Sequence, residues 1–338
     1  MIAVELYPRG TFHVGELGVG REETLEYIPS DTLYAAIVYA WVIAGEKGPF
    51  TPPPLRLTSA FPRLGAVRLY PRPFVRIRAE RERREELGKT IARFAWCSER
   101  IFALLLQGAD MTPLARSEHF IAGIWIHPDD RPLLPPPPNG AEKWEAFWTT
   151  QPPVPHVVVD RRRSTPNLFH SGRLTFGPGC GLWFGVEFNT PDARNLLERA
   201  LHYLADAGLG GLRSTGHGAF TFAIREDSIP APDVPADYAV TLSRYLPANP
   251  AEVAFALQAD HAAYKLVLLS GWCQDDAGHP WRRKQVRMVR EGSVLRWNGH
   301  PLGQVADLKP EHVGKFGDRP VLRYGLVFPV PVAKEALL

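Results

Sequence analysis

The chain has 338 residues, 45% of them apolar and 22% charged, with a formal net charge of +3. That is apolar material for two cores and too little charge for a polycation, so any nucleic-acid site must be a local patch. Three scattered cysteines, Cys97, Cys180 and Cys273, form no CxxC pair, which argues against a disulfide framework or zinc knuckle and for a reducing compartment.

The opening MIAVELYPRG carries Glu5 and Pro8 and does not read as a signal peptide. No apolar run approaches the roughly 20 residues of a membrane span, so the expectation is a soluble cytoplasmic protein. IAVELY alternates as a strand. YIPSDTLYAAIVYAWVIAG follows as an amphipathic helix, with Ser30 or Asp31 as cap, Leu33, Ile37, Ala40 and Trp41 on its apolar face, and Gly45 at its end. Prolines number 33, about twice the usual frequency. FTPPPLRL and RPLLPPPPNG must be loops or extended linkers. CSERIFALLLQG reads as a short helix capped by Ser98. The stretch from 108 to 155 is irregular, and reads as an insertion or projecting hairpin rather than core.

VPHVVVD reads as a buried strand, and CGLWFGVEF as a second. TPDARNLLERALHYLADAG is a helix with Thr190 as cap, Pro191 and Asp192 in its first turn, Gly208 beyond its end, and a stripe of Leu196, Leu197, Ala200, Leu201 and Leu204. GLGGLRSTGHGAF follows, and AFTFAI resumes as a strand. The acidic, proline-rich REDSIPAPDVPAD marks a domain boundary. Beyond it YAVTLSRYLP and AAYKLVLLSGW read as strands around NPAEVAFALQA, a helix with a capping box at Asn249 and Glu252. QVRMVREGSVLRW and RYGLVFPV are further extended segments. The expected fold is α+β: two tandem ferredoxin-like (RRM-like) domains with antiparallel sheets, residues 1–226 and 236–338.

The glycine stretch 208–218 is not a dinucleotide loop, because it follows a helix and has Arg213 where the third glycine belongs. Nor is it a P-loop, because His217 and Gly218 replace the lysine and the hydroxyl. It still suits an anion: glycines let backbone N–H groups approach a phosphate, Arg213 adds charge, and Ser214 and Thr215 add donors. A C-cap at Gly208 leaves Gly210, Gly211, Gly216 and Gly218 unexplained, and that excess favours the phosphate-backbone reading.

GLGGLRSTGHGAF is similar to the glycine-rich loop of the RAMP superfamily, the RNA-binding subunits of CRISPR effector complexes. GTFHVGE with IPSDTLYAAIVYAW, SAFPRLGAVRLYPRPFV, VVVDRRRSTPNLF and YKLVLLSGW with VRMVREGSVL resemble the family of the fourth Csm subunit of type III-A complexes. The likeness runs over nearly the whole chain except 108–155. It implies a non-catalytic subunit that holds the 5′ tag of the guide RNA (crRNA), meets target RNA indirectly, and caps the backbone filament. Its partners would be the large polymerase-like subunit and an adjacent backbone RAMP. The tag would run over the sheet face of the first domain near His13, Gly15, Ser30 and the loop at Gly208, Gly210, Gly211, Arg213, Ser214, Thr215, Gly216, His217 and Gly218. A thumb hairpin would lie in 65–95 or 108–155.

Arg161, Arg162 and Arg163, beside Phe169, suit contact with single-stranded RNA. RPFVRIRAERERREELGK balances its arginines with glutamates and reads as an exposed helix with i,i+4 pairs. WRRKQVRMVR could meet RNA or a protein. Some RAMP relatives cut RNA with a histidine base, which makes a metal-independent endoribonuclease with His13 as base the alternative. A protein-assembly scaffold without RNA contact is a third. No cofactor and no metal site is expected, since neither HExxH nor a His/Asp pair occurs at ligand spacing.

Overall fold

The computed structural model describes residues 1–15, 23–48, 50–159, 166–233, 236–275, 277–310 and 320–338. In chain order the first part comprises β1 (Ile2–Pro8), α1 (Ser30–Ile43), β2 (Leu55–Leu57), β3 (Phe61–Leu64), β4 (Val67–Pro71), α2 (Arg81–Glu86), α3 (Gly88–Arg93), β5 (Trp96–Ser98) and α4 (Glu99–Gln107). Then come β6 (Phe120–Ile121), β7 (Ile124–Trp125), the long β8 (Trp148–Val159) and β9 (Pro166–Phe176), β10 (Cys180–Phe188), α5 (Ala193–Ala207) and β11 (Phe220–Glu226).

A nine-stranded sheet runs β11-β1-β10-β3-β4-β5-β7-β6, with β2 also on β10. Its first four positions are the ferredoxin-like order, in which a β-α-β unit and its partner interleave and every neighbour is antiparallel. Period-2 alternation splits the strands between two cores. Ile2, Val4 and Leu6 of β1 and Leu182, Phe184 and Val186 of β10 pack against α1 and α5. Ala3 and Trp183 turn to the opposite face, into a core that includes Leu69, Phe102, Ile101 and Trp125.

That second core reaches into the last third of the chain through Val240, Leu242, Val294, Phe328 and Val330. There the elements are β12 (Tyr238–Thr241), α6 (Pro250–Leu257), β13 (Leu266–Leu269), β14 (Trp272–Gln274), β15 (Pro280–Arg282), β16 (Val286–Val289), β17 (Val294–Arg296), β18 (Gly303–Asp307), β19 (Leu322–Leu326) and β20 (Pro329–Pro331). They pair as β17-β12-β20, β13-β16, β14-β15 and β18-β19, all antiparallel. The fold is α+β with antiparallel sheets; among the described residues parallel pairing occurs between β5 and β7 and at the Arg78–Asp110 bridge.

Local chemistry explains several boundaries. Gly45 takes φ +83°, and the Gly45 and Glu46 N–H groups bond back to Val42 and Trp41, closing α1 with the paired bonds typical of a left-handed glycine end. The Asn249 side chain accepts from the Glu252 N–H at 2.9 Å. Glu252 does not return that bond; its carboxylate accepts from the Tyr245 hydroxyl and the Gly303 N–H instead, so half of the expected capping box forms. The exposed α2 carries the Arg81–Glu85 and Arg83–Glu86 pairs that its charge pattern announces.

Other expectations are corrected. Helix α5 begins at Ala193, so Thr190 and Pro191 precede it, and the Thr190 carbonyl accepts from the Ala193 N–H. The stretch 108–155 is not merely a protrusion. Met111, Ala115, Ile124, Trp125, Ile126, Trp144 and Phe147 are buried in the second core, because proline-rich chain still presents large apolar side chains. Conversely, VPHVVVD, read as a buried strand, has Pro155 and Val157 exposed. Cross-strand partners Val157 and Leu168 are 59% and 58% exposed. They belong to the β8–β9 hairpin, which forms its own two-stranded sheet and touches other strand-like segments through the Phe12–Leu174 bridge. An apolar run alone does not tell a core strand from a projecting one.

Candidate nucleic-acid interface

The glycine loop closes onto the segment after β1 by main-chain bonds. Gly218 N–H donates to the Thr11 carbonyl at 2.9 Å, Gly211 N–H to the His13 carbonyl at 2.8 Å, and Leu209 N–H to the Gly218 carbonyl at 3.0 Å. Gly210 and Gly218 have φ of +91° and +82°, and a Cβ would collide with the His13 carbonyl at the first and with the Leu209 backbone at the second. Gly208 (φ +82°) likewise abuts the His217 carbonyl. The glycine excess is therefore accounted for by close backbone packing as well as by any ligand, and by itself no longer argues for phosphate. Gly211 faces the His13 ring, its Cβ position 2.8 Å from Cδ2.

The outer part of the loop is a different environment. Arg213, Ser214, Thr215 and Gly216 are exposed, and a Cβ at Gly216 would meet nothing. The Arg213 guanidinium lies 5.0 Å over the ring of Tyr39, which is itself 6.3 Å from Tyr203. Tyr39 and Tyr203 are exposed on α1 and α5. Sequence reading missed them, because nothing in a helical stripe reveals which outward tyrosine a distant arginine will cover. His217 is buried beneath this rim, its Nδ1 3.1 Å from the Thr215 hydroxyl.

His13 is 6% exposed, and its Nδ1 donates to the Gly172 carbonyl of β9 at 2.9 Å. Gly15 is exposed, and a Cβ added there would meet no described atom within 4 Å. Loop, His13 and the base of the hairpin therefore meet at one end of the sheet. The sheet face itself is not open along its length. Trp183, Phe61 and Ala3 lie under the second core, so a strand crossing the middle of that face, as expected, is sterically blocked. Arg161, Arg162 and Arg163 lie outside the described residues. In WRRKQVRMVR, Arg283 turns inward to the Ser270 carbonyl while Arg282 stacks 5.2 Å over the exposed Trp272.

Ser30 is withdrawn from the solvent-facing set: it is fully buried, and its hydroxyl accepts from the Arg244 N–H at 2.9 Å. Neither Ser30 nor Asp31 caps α1, whose first turn has no side-chain cap. Asp31 instead pairs with Arg323 through Oδ2, and its Oδ1 is 3.8 Å from Arg244 Nε. Arg244 Nε is 3.7 Å from Glu291. Glu291 accepts from the Tyr27 and Ser59 hydroxyls at 2.9 and 2.5 Å. Burial alone would raise the Asp31 carboxyl, but Arg323 and Arg244 outweigh it and hold it below the usual carboxylate range. Arg283, partly buried and repelled by Arg323, is pushed down to about 10. The Ser-Asp pair is thus the seam between the first sheet and the C-terminal strands. Among the described residues no group of three or more His, Cys, Asp or Glu could hold a metal.

Residues 235–332 match the family described as the CRISPR Csm4 C-terminal domain. A curated protein, "CRISPR system Cms protein Csm4" of Thermococcus onnurineus (strain NA1), is 26% identical over 179 residues, 53% of each chain. The match thus spans about half the length of that Csm4 relative. A solved Csm3-Csm4 subcomplex of a type III-A interference complex contains a chain with the same fold, at TM-score 0.67 and 18% identity over 98% of this chain and 100% of that one. A Csm1-Csm4 cassette in complex with cA4 contains another, at TM-score 0.59 and 20% identity over 98% and 97%. The relatives and solved neighbours to which the chain is similar are thus Csm4 proteins.

Proposed function

We propose that the chain is a non-catalytic RNA-binding subunit of a type III-A CRISPR effector complex that holds the guide RNA 5′ tag and caps the backbone filament. The carrying observation is the Csm4 C-terminal domain at 235–332 joined to a RAMP-like glycine loop whose base is clamped by backbone bonds and whose rim stays exposed. Arg213, Ser214, Thr215 and Gly216 contact phosphates, Gly15 borders the same path, and Gly208, Gly210, Gly211 and Gly218 shape it. His13 and His217 hold the loop from below. Arg161, Arg162 and Arg163 add cations, and the β8–β9 hairpin is the thumb. The boundary near 227–235 separates two ferredoxin-like domains. The partners follow the solved relatives, one with Csm3 and others with Csm1: a backbone RAMP and a large subunit. No helix among the described residues is long and apolar enough to cross a membrane, and we assign the protein to the cytoplasm.

The non-catalytic assignment rests on His13. Its ring is packed under the loop and its Nδ1 donates to the Gly172 carbonyl, so only Nε2 is left to act as a base, and burial restricts its access to a 2′-hydroxyl. Incubating the full chain with repeat RNA tests this: intact RNA is expected, and site-specific cleavage abolished by His13→Ala overturns it. RNA binding is tested by salt titration. A single strand should lose log K linearly with log salt, and Arg213→Ala should reduce the slope by about 0.7. A flat salt response would favour the scaffold reading. Gly211→Val is a poor probe, since its side chain strikes the His13 ring rather than only the RNA path.

A further inference from the structure

Strand β13 is an open edge: among the described residues it pairs with β16 alone. Which backbone groups of β13 that ladder uses follows from the other side of β16. There Val289 exchanges both main-chain bonds with Tyr245, at 2.8 and 3.0 Å. Val289–Leu266 is therefore a non-hydrogen-bonded pair of the ladder and, two residues on, so is Arg287–Leu268. The N–H and C=O groups of Leu266 and Leu268 thus point away from β16, into the open edge. Their side chains are open too, 50% and 44% exposed, while Val267 and Leu269 turn the other way with Met288 and Val286 against Leu246. The surroundings are cationic. Lys265 precedes Leu266 and is exposed, Arg287 stands exposed opposite Leu268, and past Gly271 the Arg282 guanidinium lies over the exposed Trp272. From His261 to Arg290 the chain has six Lys or Arg and two Asp. Of these acids Asp275 is buried, its carboxylate accepting from the His279 N–H and the Trp281 ring N–H, and Asp276 lies outside the described residues.

We propose that β13 takes an added strand from an acidic partner protein, which packs apolar side chains beside Leu266 and Leu268 and brings Asp or Glu into the field of Lys265, Arg282 and Arg287. Main-chain bonds give such a site its affinity, and alternate side chains give it register. Sheet edges left to solvent are ordinarily guarded by charge, proline or a bulge; β13 instead keeps two leucines outward at the residues whose backbone groups are unused. A row of outward donors and acceptors is matched by another peptide backbone, and leucine offers no face for stacking, so a protein strand fits better than RNA. A second copy of this chain would bring the same cations against these, and like charges weaken association, whereas carboxylates complement them. The basic run WRRKQVRMVR thereby gains a protein-facing role for Arg282 and Arg287. Docking at this edge goes beyond the RNA contact proposed above and does not depend on it.

The test uses the full chain and a fluorescent peptide of about ten residues alternating valine and glutamate, with an alternating valine–lysine peptide as control; a strand of that length spans the edge. Leu268→Pro removes the outward N–H and no bond to β16, since that N–H faces away from the ladder. Leu268→Ala keeps the N–H and removes only the side chain, Arg287→Glu reverses a surface charge, and thermal melts check that each variant folds. By fluorescence anisotropy at low salt the wild type should bind the glutamate peptide about 10-fold more tightly than the lysine peptide. Leu268→Pro should weaken the glutamate peptide about 10-fold, the order of one lost hydrogen bond with its apolar contact, and more than Leu268→Ala does. Arg287→Glu should weaken it and close the gap between the two peptides. Equal affinity of the wild type for both peptides, or variants that all stay within 2-fold of it, would overturn the proposal. A wild-type dimer in sedimentation that Leu268→Pro dissociates would assign the edge to a second copy and overturn it as well. So would a loss of affinity for a 12-nucleotide single-stranded RNA in Leu268→Pro and Arg287→Glu with peptide binding unchanged.

Discussion

Replacing Asp31 by Asn keeps the side-chain shape and removes one charge from a site that is 1% exposed. The wild-type cluster balances Asp31 and Glu291 against Arg244 and Arg323, with Arg283 close by. In Asp31→Asn the guanidiniums face a single carboxylate in a water-poor interior. Breaking a buried pair by removing one partner costs about 3–5 kcal/mol, a large share of the roughly 5–15 kcal/mol that holds a folded domain. Urea unfolding at pH 7 should show that loss as a lower midpoint. Arg323→Met should cost a similar amount, and the double variant Asp31→Leu with Arg323→Met should cost less than the sum, because the partners are coupled. The pH dependence has a definite sign. The folded Asp31 carboxyl titrates below its unfolded value of about 3.9, so the unfolded state takes the proton first. Its contribution is fully present above about pH 4 and is lost as pH falls through the folded value. The gap between wild type and Asp31→Asn should therefore hold from pH 7 to pH 5 and narrow in stronger acid. A loss below about 1 kcal/mol at pH 7, or a gap that widens in acid, would refute the reasoning.

Gly216→Ala should cost only the roughly 1–2 kcal/mol of a left-handed residue, since its Cβ meets open space. Gly218→Ala should cost more, above about 3 kcal/mol, because the same φ penalty is joined by a collision with the Leu209 backbone. Equal melting temperatures for the two would contradict the loop packing. Val157→Thr and Leu168→Thr should each change unfolding free energy by less than about 0.5 kcal/mol, since both side chains are solvated and threonine suits a strand; losses of several kcal/mol would mean that the hairpin is core. Native protein should label with a thiol reagent at Cys273 alone and slowly. Burial pushes the Cys97 thiol far up and the Cys180 thiol up to about 12 despite Arg63, while the half-buried Cys273 is raised less. Rapid reaction of Cys97 before urea is added would count against the buried assignment.

The sequence by itself determined the parts that depend on near neighbours along the chain. The alternation of IAVELY, the stripe of Leu197, Ala200, Leu201 and Leu204, the left-handed end at Gly45 and the ion pairs of α2 are all local, and each appears where its pattern put it. The glycine loop was legible as a unit because its spacing is contiguous. Tertiary structure decided what these pieces meet. VPHVVVD reads the same whether a second layer covers it or not, and here Val157 is left exposed. Ser30 and Asp31 look like ordinary cap residues until Arg244 and Arg323 arrive from some two hundred and three hundred positions away. Burial and charge pairing depend on distance in space, and only the fold converts a spacing in sequence into one.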